Sequence, residues 1–312
     1  MTPKSKPKVI INPAAGQGAA RKAWPGIEAG LRAALGDIDV SMTRVSGDET
    51  ALARQALADG YSHFIAVGGD GTMNGVLNGI MADGGVVRDD IRLSVVPAGT
   101  ANELARAIGV HGDPEGAVRG IASGRVRRFD VLRADCTDLN GNAHRRFATL
   151  AVSWGGAAEI VQRTNNSRWL KKLSGRLSYY ANTLIVTLTY PMQQCDITVD
   201  GRLFSDQRYY SGLICNLEYL GGGMRLAPNA DHADGQADFL FFKDIPRHEI
   251  ILQKPSWLFE GHHIDHPKVD YLRGRDFTVK GSATTLIDAD GETIGRLPLT
   301  VTTLKQALPV LG

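Results

Sequence analysis

Cysteine is scarce in this chain: three among 312 residues, Cys136, Cys195 and Cys215. They are odd in number and far apart, and no pair has the spacing of a metal knuckle or a redox motif. That argues against a disulfide framework and against structural zinc. Aromatic residues are also few, at 7%. Long apolar runs are missing, and nowhere does the chain reach the ~18 consecutive residues that a membrane-spanning helix needs. No apolar stretch of signal-peptide length precedes a small-residue cleavage site near the N-terminus. Charge of one sign does not dominate. A formal net charge of +2 gives no global reason to expect nucleic acid, although a locally basic face would still attract an anionic membrane. These absences lead to the expectation of a cytoplasmic globular chain, long enough for two domains.

What is present falls into two regimes. Up to about residue 128, strand-like and helix-like segments alternate. Val9-Ile10-Ile11 reads as a buried strand, and Ala20 to Leu35 follows with Trp24, Ile27, Leu31 and Leu35 at helical spacing. Ile38 to Val45, His63 to Val67 and Arg92 to Val96 read as further strands, with helices from about Glu49 to Ala58, through Val76 to Met81, and from Asn102 to Ile108. Such alternation with short glycine turns predicts a parallel sheet covered on both faces. From residue 129 to about 298 the segments are short and rich in β-branched or aromatic residues. They include Phe129–Ala134, Arg146–Val152, Gln194–Val199, Tyr209–Asn216, Ala237–Phe242, Phe277–Lys280 and Thr284–Ile287. Turn pairs Asn140-Gly141, Asp200-Gly201 and Asp290-Gly291 separate several of them, which predicts an antiparallel sandwich or barrel. Helical interruptions are expected around Trp169–Thr187 and Arg247–Phe259. Residues 299–312 form a C-terminal segment expected to return to the first domain.

Two glycine loops sit where predicted parallel strands end and helices begin, the edge at which open α/β sheets bind ligands. Glycines let the backbone approach a phosphate, and the helix N-terminus presents free N–H groups. Gly68, Gly69 and Gly71, with the Thr72 hydroxyl, would do this in one loop and Gly99-Thr100 in the other. Asp70 would repel phosphate, so its carboxylate makes sense if it holds Mg²⁺ or organises the loop by hydrogen bonding. The competing reading is a pair of tight strand–helix turns, with Thr100 and Asn102 as caps. A third segment, Asn12-Pro13 to Gly18, follows the first strand.

The motifs in order are Asn12-Pro13 with Gly16 and Gly18; GGDGT at Gly68–Thr72 with Asn74; Pro97-x-Gly99-Thr100-x-Asn102; Gly221-Gly222-Gly223; Asp234-Gly235-x-x-Asp238; and Asp290-Gly291-Glu292. As a set this resembles the diacylglycerol kinase catalytic-domain family, which includes sphingosine, ceramide and bacterial lipid kinases. GGDGT alone is shared with NAD kinases. The resemblance covers nearly the whole chain and implies ATP and Mg²⁺ in a cleft between a Rossmann-like domain and a β-rich one. By position, Gly68 to Asn74 line the nucleotide phosphates, Gly99, Thr100 and Asn102 contribute the second loop, and Thr43 adds a contact. A structural Mg²⁺ is implied at the Asp234 side chain with backbone oxygens of Asp231 and Gln236. Glu292 is implied as the base accepting the lipid hydroxyl proton, with Asp290 orienting it or binding catalytic Mg²⁺.

The implied substrate is a membrane lipid, and a helical stretch from Arg163 to Leu177 and Leu184 mixes basic residues, Trp169 and leucines as peripheral docking to an anionic surface would require. A surface helix packed on the sandwich explains the same pattern. The histidines of Gly261 to His266 are read as a polar loop, with no metal role. Two other functions compete with the lipid kinase: an NAD kinase, and a catalytically inactive nucleotide- or lipid-binding regulator.

Overall fold

The computed structural model describes residues 6–45, 47–166, 175–205, 208–246, 249 and 256–312, with side chains for all of these except 175–180 and 256. The chain divides into two compact units. One consists of Met1–Val131, Gly221–Gly223 and Leu304–Gly312, the other of Leu132–Leu220 and Met224–Thr303.

The first unit alternates strands and helices: β1 (Lys8–Ile11), α1 (Ala19–Leu35), β2 (Asp39–Met42), α2 (Asp48–Ala58), β3 (His63–Gly68) and α3 (Asp70–Ile80). A two-residue ladder of β4 (Met81–Ala82) and β5 (Gly85–Val86) follows, then β6 (Arg92–Pro97), α4 (Glu103–Ala107) and α5 (Pro114–Ser123). Strands β6, β3, β1 and β2 lie side by side in that order, all parallel. Their runs VII, FIAV and LSVV are buried on both faces, which is why they read as continuous apolar segments rather than alternating ones. Trp24, Ile27 and Leu31 of α1 meet Val118 and Ile121 of α5 over Val9 and Val67. Each fully buried aliphatic side chain of this kind stabilises by ~1.5–3 kcal/mol. Helices α2 and α3 approach closely: a Cβ on Gly75 would lie 2.6 Å from the Glu49 Cβ, and one on Gly79 2.4 Å from the Ala53 Cβ.

The second unit begins within β7 (Val126–Thr137) and contains β8 (Ala143–Ala148), β9 (Ala151–Gly155), α6 (Gly156–Asn166), α7 (Gly175–Thr189), β10 (Gln193–Val199), β11 (Arg202–Phe204), β12 (Arg208–Cys215) and β13 (Ala237–Lys243). It continues through β14 (Val269–Gly274), β15 (Asp276–Gly281), β16 (Leu286–Ala289) and β17 (Glu292–Leu311). Strands β10, β12, β9, β16, β17 and β15 pair in sequence, and β15 pairs back to β10, so the antiparallel sheet closes into a barrel. Closure removes the edges that an open sheet would expose. Trp154, Phe239, Phe241, Phe277 and Ile287 fill the interior. Both turn residues of the β16–β17 hairpin, Asp290 and Gly291, have positive φ (50° and 86°), as a two-residue hairpin matching strand twist requires.

The expected architecture, a Rossmann-like parallel sheet followed by an antiparallel β barrel, is the one observed. One local expectation is corrected. Arg146–Val152 is not one strand: it breaks between Ala148 and Ala151, because the Thr149 and Leu150 amides donate to the Asp290 side chain instead of a ladder. Helices α5 and α6 and strand β14 were not anticipated. The last residues leave the barrel and join the first unit, where Val310 pairs in parallel with Leu93 of β6 and the Gln306 amide donates to buried Asp130 at 2.6 Å. Among the described residues no helix is long and apolar enough to cross a membrane. Trp169, Leu170 and Leu173, expected on a docking face, lie outside the described residues.

Candidate active site

In the first unit, three loops meet at the C-terminal edge of the sheet. The loop after β1 holds Gly16, Gln17 and Gly18 all at positive φ, and a Cβ on Gly16 would stand 2.8 Å from the carbonyl oxygen of Ala98 in the loop after β6. The loops after β3 and β6 press backbone on backbone: a Cβ on Gly99 would lie 2.3 Å from the Gly69 Cα and 2.9 Å from its nitrogen. Nothing larger than glycine fits there without parting the loops.

Side chains then frame the loops. Asn102, at φ 53°, donates from Nδ2 to the Gly99 carbonyl at 2.9 Å and accepts the Gly99 amide at 3.0 Å. Asp70 accepts the Glu103 amide at 2.7 Å, so its carboxylate caps α4 and ties the first loop to the second. Of the two roles expected for Asp70, the hydrogen-bonding one has this geometric support. Asn12 donates to Glu49 at 3.1 Å and accepts the Ala14 amide at 3.0 Å. Thr43 follows β2 at the same edge, is buried, and donates its amide to the Ile11 carbonyl at 2.9 Å.

Burial sorts the expected nucleotide residues into two groups. Gly71 and Thr100 are exposed and Gly69, Asp70 and Gly99 half-buried at the edge, whereas Gly68, Thr72, Asn74 and Asn102 are buried. Asn74 is wholly inaccessible and accepts from Asn78 at 3.1 Å. Its place is therefore in the interior of α3, not on the surface that a phosphate would touch. Asn102 likewise shapes the second loop with its side chain.

Sequence reasoning overlooked Glu103. Its side chain, 1% exposed, accepts the amides of Gly222 and Gly223, both at 2.9 Å, and the Arg106 Nε at 3.0 Å. Gly221, Gly222 and Gly223 all have positive φ, which turns successive amides toward one anion. The glycine triplet therefore holds a carboxylate of its own chain. Position 103, next to the Asn102 motif, was the available signal.

In the second unit, the acidic turn is built from β8, β9, β16 and β17. Asp290 is buried, and its carboxylate accepts the amides of Thr149 at 2.8 Å, Leu150 at 2.9 Å and Ala151 at 3.0 Å. It faces the backbone and fixes the turn. Glu292, 44% exposed at its side chain, pairs with Arg146. Asn165 of α6 donates to the Gly291 carbonyl at 2.9 Å. Asp288, also unanticipated, is buried and accepts the Gly291 amide at 3.1 Å. Burial, then the neighbouring Asp290 and Glu292 charges, push its carboxyl well above the usual carboxylate range, against the lowering effect of the Gly291 bond. Arg146, Asn165 and Asp288 belong to no motif, and no local pattern marks them.

Around the turn expected to hold a metal, Asp234 accepts the Gln236 amide at 2.8 Å and pairs with Arg273. Asp231 accepts the Ala233 amide at 3.0 Å. The implied donor set is one carboxylate and two carbonyl oxygens, hard ligands suited to Mg²⁺ with water completing the shell. It fits such an ion, provided Asp234 is shared with Arg273. Among the described residues no three His, Cys, Asp or Glu side chains converge as a metal cluster, and this donor set needs none.

Comparison with known proteins bears on both units. Residues 6–134 match the diacylglycerol kinase catalytic domain, and residues 150–312 match the YegS C-terminal NAD kinase beta sandwich-like domain. The chain is 28% identical over 305 residues to a diacylglycerol kinase of Staphylococcus haemolyticus (strain JCSC1435), covering 97% of this chain and 87% of that one. It is 27% identical over 314 residues to a diacylglycerol kinase of Staphylococcus epidermidis (strain ATCC 12228 / FDA PCI 1200), covering 98% and 92%. In fold it is similar to the crystal structure of a diacylglycerol kinase from Bacillus anthracis str. Sterne, with a TM-score of 0.71 at 22% identity over 98% of this chain and 96% of that one. With both halves accounted for in the expected order, the chain belongs to the family that joins a diacylglycerol kinase catalytic domain to a YegS-type β-sandwich-like domain.

Proposed function

We propose that this chain is an ATP- and Mg²⁺-dependent lipid kinase that phosphorylates a hydroxyl of a membrane lipid, of the diacylglycerol, ceramide or sphingoid class. The observation that carries the reading is the edge of the first unit, where glycine backbones from two strand–helix loops pack closely and leave Gly71 and Thr100 exposed beside them. Amides at helix N-termini suit the polyphosphate of a nucleotide.

Gly69, Gly71, Gly99 and Thr100 bind the phosphates. Thr43, Gly68, Thr72, Asn74 and Asn102 hold the loops in shape, and Asp70 joins them through α4. Glu292 accepts the proton of the lipid hydroxyl as its oxygen bonds to the γ-phosphorus. The bond from that phosphorus to the β,γ-bridging oxygen breaks, and ADP leaves. Arg146 orients Glu292, and Asp290 positions the turn that carries it. When bound, Mg²⁺ neutralises charge on the transferring phosphate. A structural ion would be held by Asp234 and the backbone oxygens of Asp231 and Gln236.

The test incubates purified protein, labelled ATP and Mg²⁺ with diacylglycerol, ceramide, a sphingoid base, phosphatidylglycerol or NAD⁺. Label in a lipid alcohol is expected. Label in NAD⁺ alone makes the chain an NAD kinase, and label in none makes it a binding protein. Glu292→Gln and Asp70→Asn are each expected to remove at least 99% of turnover with the circular dichroism spectrum kept. Turnover retained in Glu292→Gln removes that residue as the base.

A further inference from the structure

Helix α7 carries an aliphatic stripe on its outer face. Leu184, Ile185 and Leu188 are 48%, 43% and 43% exposed, while Asn182, Val186 and Thr187 of the same helix are buried. Positions i, i+1 and i+4 fall within one arc of a helix, so the three side chains form a single patch. Large exposed hydrophobics elsewhere in the described residues come singly, apart from the pair Met42 and Val45, and isolated ones are ordinary. Three within five residues are not.

The second observation is charge. Between Glu159 and Asp196 the sequence contains Arg163, Arg168, Lys171, Lys172 and Arg176 and neither Asp nor Glu. This stretch alone exceeds the +2 of the entire chain, so the remainder is net acidic. The stripe therefore lies in a stretch whose charged residues are all cationic. Aliphatic side chains inside a basic segment suit an anionic bilayer, where burial in the acyl boundary and attraction to headgroups act together. A second copy of the chain is a poorer occupant. Two such segments would repel, and three half-exposed side chains offer roughly 250 Å², far below the ~800 Å² per partner of a stable dimer.

We propose that α7 is the membrane-docking element, inserting Leu184, Ile185 and Leu188 into a bilayer of anionic lipid. The proposal rests on the lipid-kinase reading for its purpose, but its test needs no turnover. Full-length protein is sedimented without ATP with vesicles of phosphatidylglycerol or of phosphatidylcholine. The wild type is expected to partition to phosphatidylglycerol and to detach as salt rises. The triple variant Leu184→Ser, Ile185→Ser, Leu188→Ser is expected to partition at least tenfold more weakly, whereas Leu203→Ser, removing a 61% exposed leucine of β11, changes nothing.

Unaltered partitioning of the triple variant overturns the proposal, as does absence of the wild type from phosphatidylglycerol vesicles, or an equal loss in Leu203→Ser. A wild-type dimer on size exclusion that the triple variant dissolves, with vesicle binding intact, assigns the stripe to a second copy and overturns it too. Should the triple variant lack the wild-type circular dichroism spectrum, Leu184→Ser alone is expected to lose about threefold, and no loss overturns the proposal. Turnover on a monomeric short-chain diacylglycerol is measured in parallel and is expected to survive in the variant. If the wild type phosphorylates no lipid alcohol at all, the kinase reading fails while the docking result still stands.

Discussion

Asp290 and Leu150 stand 140 positions apart in sequence and are joined by an amide-to-carboxylate hydrogen bond of 2.9 Å. With the Thr149 and Ala151 amides on the same carboxylate, this contact interrupts one strand and pins the turn that presents Glu292. Asp290→Asn leaves one side-chain acceptor, without its charge, for three amides. Losing charge-assisted bonds to buried donors costs about 3 kcal/mol, so the melting temperature is expected to fall by several degrees. A variant that melts like the wild type would show that the turn does not depend on this carboxylate.

The glycines divide into those that pack and those left open. Gly99→Ala forces a methyl group onto the Gly69 backbone and is expected to lower stability by ~1–3 kcal/mol and to weaken ATP binding at least tenfold. At Gly71 an added Cβ meets nothing within 4 Å, so Gly71→Ala should melt as the wild type does. If its amide touches phosphate, ATP binding by calorimetry weakens even so. Equal melting of the two variants would contradict the close approach of the loops.

Much of this was legible in advance because parallel strands buried on both faces are continuous apolar runs, and loops at their ends must be rich in glycine. The break at Thr149 was not, since its cause is a carboxylate in a different hairpin. Helix α6 ends in Gln162, Arg163, Thr164, Asn165 and Asn166, too polar a run to show a helical stripe. Strand β14 alternates with Asp270 and Arg273 and lacks a clear apolar face. Motifs identified which residues gather at the sheet edge, but not which of them face outward. Thr100 and Asn102 are two positions apart and look equivalent as text. One is exposed and the other buried, because Asn102 turns its amide back on Gly99.

His63, at the start of β3, shares a 2.9 Å contact with Ser94. Burial, with a smaller contribution from Arg92, pushes its imidazole down to about 4. The unfolded chain, near the ordinary 6.5, takes up a proton that the folded one refuses. Stability should therefore decline as pH falls from 6.5 to 4, by up to about 3 kcal/mol from this group. Melts of wild type and His63→Gln across that window are expected to converge as pH drops. Parallel curves would remove His63 as the cause.

At the Asp234 turn, a bound Mg²⁺ should stabilise the folded state by an amount that grows with the logarithm of its concentration once the site is filled. EDTA is expected to lower the melting temperature and added Mg²⁺ to restore it, with no response in Asp234→Asn. Arg273→Ala, which frees the carboxylate of its guanidinium, should enlarge the response. A wild-type melt indifferent to both reagents would dissociate this turn from any divalent ion.

The pairing of Val310 with Leu93 bears on the order of assembly. Strand β6 is synthesised early, yet its outer neighbour arrives only after more than two hundred further residues, on the order of ten seconds or longer at ribosomal rates. During that interval β6 is a raw edge, open to another nascent chain. The parallel sheet therefore closes only after the segment around Val310 has been made, and a truncation ahead of Val310 would strike the loops encoded first.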